Sequence, residues 1–185
     1  RDAEQLGYPK AFSIYDQADA VRLTGYVIRD LGLDVKKFVP KSVHGHISNL
    51  KNELISADDA LERAENIFDR KIAETFVEYQ RRLRTSGAMD FDDLLTVTVE
   101  LFNNYPHVLD HYQQRFHHVL VDEYQDTNPA QNDIVLKLGD DHRNVFVVGD
   151  SDQSVYAFRG ADIRNILEFE KAFPDTSVVV LDQNY

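Results

Sequence analysis

The stretch HVLVDEYQDTNPAQ, residues 118–131, decides the fold. Its opening run, Val119, Leu120 and Val121, is β-branched and apolar, the pattern of a parallel strand buried on both faces. Asn128 followed by Pro129 is a helix cap with proline at the first helical position, which predicts a helix to about Leu138, stopped by Gly139. Between strand and helix stand Asp122 and Glu123, at the carboxyl end of the strand, where open parallel sheets take their ligands.

Downstream the alternation repeats. Residues 145–148 read as a second buried strand, Asp162 as the cap of a helix to about Ala172, and residues 177–181 as a third strand. Strand, helix, strand, helix, strand is an α/β layout with a parallel sheet. Just upstream, in MDFDDLL (residues 89–95), Asp90 is a candidate N-cap for a helix to about Phe102, and Pro106 precedes another short helix.

From residue 1 to about 86 the pattern is helical throughout. Asp16 caps a helix with Ala20, Val21, Val27, Ile28 and Leu31 on its apolar face and Gly32 as its stop. After Pro40 comes a short segment over residues 43–54. Ser56, with Asp59 three residues on, opens a long helix whose stripe is Leu61, Ala64, Phe68, Ile72, Phe76, Tyr79 and Leu83, ended by Gly87. Unbroken to Thr85, it would span about 45 Å at ~1.5 Å per residue. Arg63, Arg70, Lys71, Arg81, Arg82 and Arg84 stand among Glu62, Glu65, Asp69, Glu74 and Glu78, which predicts an exposed, ion-paired face.

The 185 residues are 43% hydrophobic and 28% charged, enough apolar material for a core and too little net bias for disorder. No apolar run approaches the roughly 18 residues that cross a bilayer, and the first ten residues lack the character of a secretion signal, so a cytoplasmic placement is expected. Without cysteine there are no disulfides or thiolate metal sites. A net charge of -12 argues against non-specific coating of nucleic acid, so any contact with DNA calls for a local groove with stacking side chains. Arg1 at the start and an end at Asn184–Tyr185, soon after the apolar run 178–181, suggest an internal piece of a longer polypeptide.

Phosphoryl transfer from a nucleotide needs one carboxylate to hold Mg²⁺ and another group to orient or deprotonate the attacking water. Asp122 suits the first role and Glu123 the second. Alone, the pair reads equally as a cap and a solvated turn.

The combination is more specific. VLVDEYQDTNPAQ (119–131), VVGDSDQSVYAFRGAD (147–162) and VVVLDQNY (178–185), in this order, resemble the Walker B, third and fourth motifs of the UvrD/PcrA/Rep superfamily 1 DNA helicases. The match is strong over residues 89–185 and looser over the helical half. The resemblance implies a P-loop NTPase (RecA-like) partial domain over residues 87–185, truncated at both ends, with residues 1–86 an all-α subdomain inserted into it. It also implies ATP and Mg²⁺ as cofactors and single-stranded DNA and single-strand/duplex junctions as partners, along with the remaining helicase domains of the same polypeptide. No membrane partner is expected.

Residue by residue, the resemblance implies Asp122 as the Mg²⁺ ligand, Glu123 as the catalytic base and Gln153 as the polar group that contacts the γ-phosphate region and reports nucleotide state to the DNA groove. Tyr156 and Phe158 would stack on bases at about 1–3 kcal/mol each. Family members often carry Trp where Phe158 stands, so this platform is smaller. Arg159 is a candidate for DNA or interdomain contact, and Tyr185 for stacking on adenine.

Plainer readings stand beside these. Tyr156 and Phe158 alternate as core aromatics would. Gln125 and Asp126 fit either bracing of the site or contact with its ligand, and Asp150 and Asp152 fit a tight turn. Asp90, Asp92 and Asp93 read as capping residues before a metal site. His44, His46, Ser48, Lys51 and Asn52 form a polar cluster that reads as solvated surface, with Lys51 a candidate for phosphate contact.

Nowhere does GxxxxGK[ST] occur, so the loop that cradles β and γ phosphates lies outside these residues. The expectation is a parent that is an ATP-dependent 3′-to-5′ DNA translocase, with the isolated piece inactive. Two rivals remain: a carboxylate-metal nuclease or phosphohydrolase using Asp122, Glu123 and Asp126, and a non-catalytic interaction module descended from a helicase.

Overall fold

Local capping chemistry sets most of the helix starts. The structure, a computed structural model, describes residues 1–150, 165, 169 and 171–180. Asp16 accepts the Asp19 N–H at 2.9 Å and begins α1 (Gln17–Asp30), and Gly32, at φ 66°, follows its end. Pro40 opens α2 (Pro40–Asn52) as its first residue, so the proline that interrupts the chain also pre-sets the next helix. Further on lie α5 (Asp93–Asn104), α6 (Pro106–Arg115) and α7 (Pro129–Gly139). The last is capped reciprocally, with Asn128 Oδ1 accepting the Gln131 N–H at 2.8 Å and Gln131 Oε1 accepting the Asn128 N–H at 3.0 Å.

The single long helix expected after Ser56 is two. Ser56 and Asp59 form a capping box for α3 (Ala57–Glu62), but the chain breaks after Arg63 and restarts at α4 (Ile67–Thr85). The cause is Asn66. Its backbone is extended and its side chain accepts the Asp69 N–H at 2.9 Å, a cap that competes with helix continuation. The apolar stripe continues across the break, because α3 packs on α4 and both face one core. Val27, Ile28, Val43, Ile47, Phe76, Tyr79 and Leu83 are buried there. Gly87 ends α4 as expected, at φ 60°.

The strands are short and parallel. β1 (Ser13–Tyr15) pairs with β2 (Ala88–Asp90), Ile14 opposite Met89, and β3 (Val119–Val121) pairs with β4 (Val145–Val147), Leu120 opposite Phe146. The first pair ties residues 13–15 to the far side of the helical segment. The second, joined through α7, is a βαβ unit. Val119, Val121, Val145 and Val147 pack with Tyr124, Val135, Phe169 and Phe173. Close approach of α7 to β4 depends on Gly139, where a Cβ would collide with the Val145 side chain.

Two expectations about this sheet are corrected. It was expected to be buried on both faces, yet Leu120 and Phe146 are 73% and 61% exposed. Side chains alternate along a strand, α7 covers only one face, and no described residue covers the other. The expected third strand at 177–181 is not formed in its described part: residues 177–180 pair with no described residue and Val178, Val179 and Val180 are exposed. Asn165, Phe169, Lys171 and Ala172 are helical, within the helix expected after Asp162; Asp162 itself and Leu181 lie outside the described residues. Among the described residues no helix is long and apolar enough to cross a membrane.

Candidate active site

The tips of β3 and β4 carry the acidic turn. Tyr124 N–H donates to Val148 O at 2.9 Å and Val148 N–H to Val121 O at 2.9 Å, so the backbone pairing runs past both strands and brings the residues after each tip side by side. Asp122 and Glu123 are exposed on this edge. Asp122 Oδ1 accepts the Glu123 N–H at 2.9 Å. Glu123 adopts φ 51°, ψ 42°, a left-handed backbone that costs a residue with a Cβ about 1–2 kcal/mol. Its surroundings hold it there: residues 124–126 form a 3₁₀ turn, Asp126 N–H donates to Glu123 O at 2.9 Å, and the ring of Tyr124 is fully buried against Phe169. Strain of this kind gathers where a side chain must point in one direction.

Gln125 is the brace. It is 1% exposed, its Nε2 donates to Glu123 Oε2 at 2.7 Å, and its Oε1 accepts the Asp150 N–H at 3.0 Å. One carboxamide therefore links the Glu123 carboxylate to the backbone leaving the neighbouring strand. Tyr124 OH also meets Asn132 Oδ1 on α7, and burial pushes its phenol up to about 12.

The sequence placed Lys51 in a solvated cluster, with phosphate contact as the alternative. The structure corrects this: Lys51 is 3% exposed, and its ammonium lies 2.7 Å from both Asp90 Oδ2 and Asp93 Oδ1. In this arrangement the charge is not presented to a phosphate. Asp90 Oδ2 also accepts from Tyr79 OH at 2.8 Å, and Asp93 Oδ1 from Gln80 Nε2 at 2.9 Å. Asp93 N–H donates to Asp90 Oδ1 at 2.8 Å and Asp90 N–H to Asp93 Oδ2 at 3.2 Å. The residue at the cap position of α5 is Asp92 and not Asp90, which ends β2, but the Asp90 carboxylate still satisfies the first N–H of the helix while both acids serve the ion cluster. Burial disfavours the Lys51 charge, but the two carboxylates outweigh it and raise its pKa. Burial likewise opposes ionisation of Asp90, and Lys51 with the Tyr79 hydroxyl holds that carboxyl below its usual range. The missed signal was helical phase: Val43, Ile47 and Lys51 recur every fourth residue, which puts Lys51 on the buried face of α2.

Gln153, Tyr156, Phe158, Arg159 and Tyr185 lie outside the described residues. Asp126 is exposed beside Glu123, but no group of three His, Asp or Glu side chains suited to a metal converges among the described residues. An exposed carboxylate pair fits a Mg²⁺ that keeps waters and nucleotide oxygens as its other ligands, because that ion seldom takes an all-protein cage.

Comparison with known proteins agrees with the family resemblance. The chain is 44% identical over all 185 residues to the ATP-dependent DNA helicase PcrA of Bacillus subtilis (strain 168). It is 45% identical over the same length to the proteins of that name from Staphylococcus aureus (strain Mu50 / ATCC 700699) and Leuconostoc citreum. In each case it spans 25% of the relative's own length. The family model of the UvrD/REP helicase N-terminal domain matches residues 1–174. With that match over most of its length, and with the acidic turn seated at the tips of parallel strands, the chain belongs to the UvrD/REP helicase N-terminal domain family.

Proposed function

We propose that this chain is the part of an ATP-dependent 3′-to-5′ single-stranded DNA translocase that carries the metal-binding and catalytic-base motif. The observation that carries the reading is the Glu123–Gln125–Asp150 relay, which joins the acidic turn to the backbone that runs on from the β4 tip toward Gln153. In this reading Asp122 holds Mg²⁺, and bound Mg-ATP supplies the scissile phosphoanhydride and its charge neutralisation. Glu123, aimed by its left-handed backbone and by Gln125, orients the attacking water and accepts its proton. Gln153 senses the γ-phosphate region, Tyr156 and Phe158 stack on bases, Arg159 contacts DNA or a neighbouring domain, and Tyr185 stacks on adenine. Residues 1–86 act as the inserted helical subdomain and 87–185 as part of a RecA-like domain, with residues 13–15 reaching across to pair with β2. The partners are single-stranded DNA, single-strand/duplex junctions and the other domains of the same polypeptide, working in the cytoplasm.

The test is ATP hydrolysis by the full-length polypeptide with and without single-stranded DNA, in wild type and Glu123→Gln. DNA-stimulated turnover that falls by about 10²- to 10⁴-fold in the variant supports the reading. Metal-dependent cleavage of nucleic acid without ATP would replace it with a carboxylate-metal nuclease.

A further inference from the structure

Behind the acidic turn, a buried side-chain pair joins the helical half of the chain to the residue that caps α7. Asn128 Nδ2 donates to Asn52 Oδ1 at 2.7 Å, across 76 residues of sequence. The two side chains are 4% and 3% exposed. Each carboxamide is already committed. Asn128 Oδ1 caps α7 by accepting the Gln131 N–H, and Asn52 Nδ2 donates to Ser48 O at 2.9 Å and to Asp92 Oδ1 at 3.4 Å. A flipped Asn52 would set its carbonyl oxygen against the Ser48 carbonyl and the Asp92 carboxylate, so the surroundings define one orientation.

The residue before Asn128 closes the turn. Thr127 Oγ1 and N–H both donate to Tyr124 O, at 2.6 and 3.2 Å, and Thr127 O accepts from Asn165 Nδ2 at 2.9 Å. Displacement of the end of α2 therefore acts on Thr127–Asn128, and through them on the 3₁₀ turn that sets Gln125 and Glu123. That end of α2 is firmly seated, since the preceding residue is Lys51, with its two carboxylates. Helix capping needs only an acceptor at position 128. The second carboxamide adds a directional bond that is made in one register of α2 against α7, where apolar contact would tolerate sliding.

We propose that Asn52 is a positioning residue for Glu123: its hydrogen bond to Asn128 makes the placement of the helical unit a determinant of ATP turnover. The inference rests on the reading of Glu123 as the catalytic base.

The experiment is steady-state ATP hydrolysis by the full-length polypeptide at saturating single-stranded DNA, with Asn52→Leu, Asn128→Asp and the double variant. Asn128→Asp keeps the cap acceptor and loses the donor, so it breaks the link with α7 intact, and it answers the question alone if Asn52→Leu does not fold. Each single change is expected to lower kcat by roughly 3- to 30-fold, with KM for ATP little changed, and the double variant is expected to be no slower than the slower single. A merely structural role would lower the melting temperature and leave kcat per folded molecule, and the non-additivity, unmoved. Wild-type turnover with unchanged kcat in Asn128→Asp overturns this inference and spares the Glu123 reading. No ATP turnover in the wild type overturns both.

Discussion

The ammonium of Lys51, near the end of α2, and the carboxylate of Asp90, at the end of β2, lie 2.7 Å apart in the interior, although 39 residues separate them. Asp93, Tyr79 and Gln80 complete the cluster, so every oxygen of the two carboxylates accepts at least one hydrogen bond. The pair fastens the helical half of the chain to the strand and helix that begin the second half. A buried charge stripped of its partner is costly, whereas the satisfied cluster is close to neutral in stability, and the first prediction follows from that asymmetry.

Lys51→Met will lower stability by about 3–5 kcal/mol near neutral pH, because two carboxylates stay buried without a counter-ion. The pH dependence of the Asp90 contribution will also change sign, while burial already holds Asp93 above its ordinary value in the wild type. In the wild type, burial works against the Asp90 charge, but Lys51 holds the folded pKa below the ordinary 3.8; its stabilisation is present above the unfolded pKa and lost as pH falls through the folded one. In the variant only the Tyr79 hydroxyl and the Asp93 N–H still favour the Asp90 carboxylate; burial outweighs them, its folded pKa lies above the unfolded one, and its contribution declines as pH rises. Urea unfolding of both proteins between about pH 4 and pH 7 measures it, and parallel profiles would refute it.

His44 will titrate below its ordinary 6.5. Burial is the main cause; Lys51 adds to it, and both outweigh the attraction of Asp90 and Asp92. The ring is 3% exposed, its Nδ1 has no hydrogen-bond partner among the described residues, and it lies 5.8 Å from the Tyr79 ring. A depressed folded pKa means that the contribution of His44 is present above the unfolded value and is lost as pH falls through the folded one. An NMR titration of the ring gives the midpoint directly. A midpoint above 6.5 contradicts the burial argument.

Gly139→Ala will destabilise by about 1–3 kcal/mol, with a fall in Tm of roughly 2–10 °C, through collision with Val145 and pressure on Phe173. Thermal melting followed by circular dichroism tests this. An unchanged Tm would mean that α7 and β4 are not packed this closely.

Gln125→Leu will lower kcat for ATP hydrolysis in the full-length polypeptide by about 10- to 100-fold, with little change in KM, since it removes the hydrogen bond that orients Glu123 and leaves the volume filled. Steady-state kinetics at saturating DNA decide it. Wild-type kcat in the variant would remove Gln125 from the site.

Features that depend on neighbours three or four residues apart were legible in the sequence. Asp16 capping α1, Gly32 and Gly87 ending helices, and the Asn128–Pro129 start of α7 all appear as expected, because capping is local chemistry. The break between α3 and α4 was hidden: the apolar stripe keeps its phase across it, and a single asparagine decided between cap and helix interior. At the acidic turn, residue order pointed to Asp122 and Glu123. The direction in which Glu123 points depends on a left-handed backbone and on Gln125, neither of which periodicity reveals.

By itself, then, the sequence determined most helix caps and stops, the parallel β3–β4 pair and which acids would stand at a strand tip, since these follow from local propensity and motif order; β1, in a stretch that reads as helical, and its pairing with β2 did not show in it. Tertiary structure alone decided that Lys51 is buried with Asp90 and Asp93, that Asn52 meets Asn128, and that one face of β3 and β4 stands open. The physical reason is distance along the chain. A charge or carboxamide has the same local pattern in water as against a partner dozens of residues away, and only packing brings that partner within 3 Å.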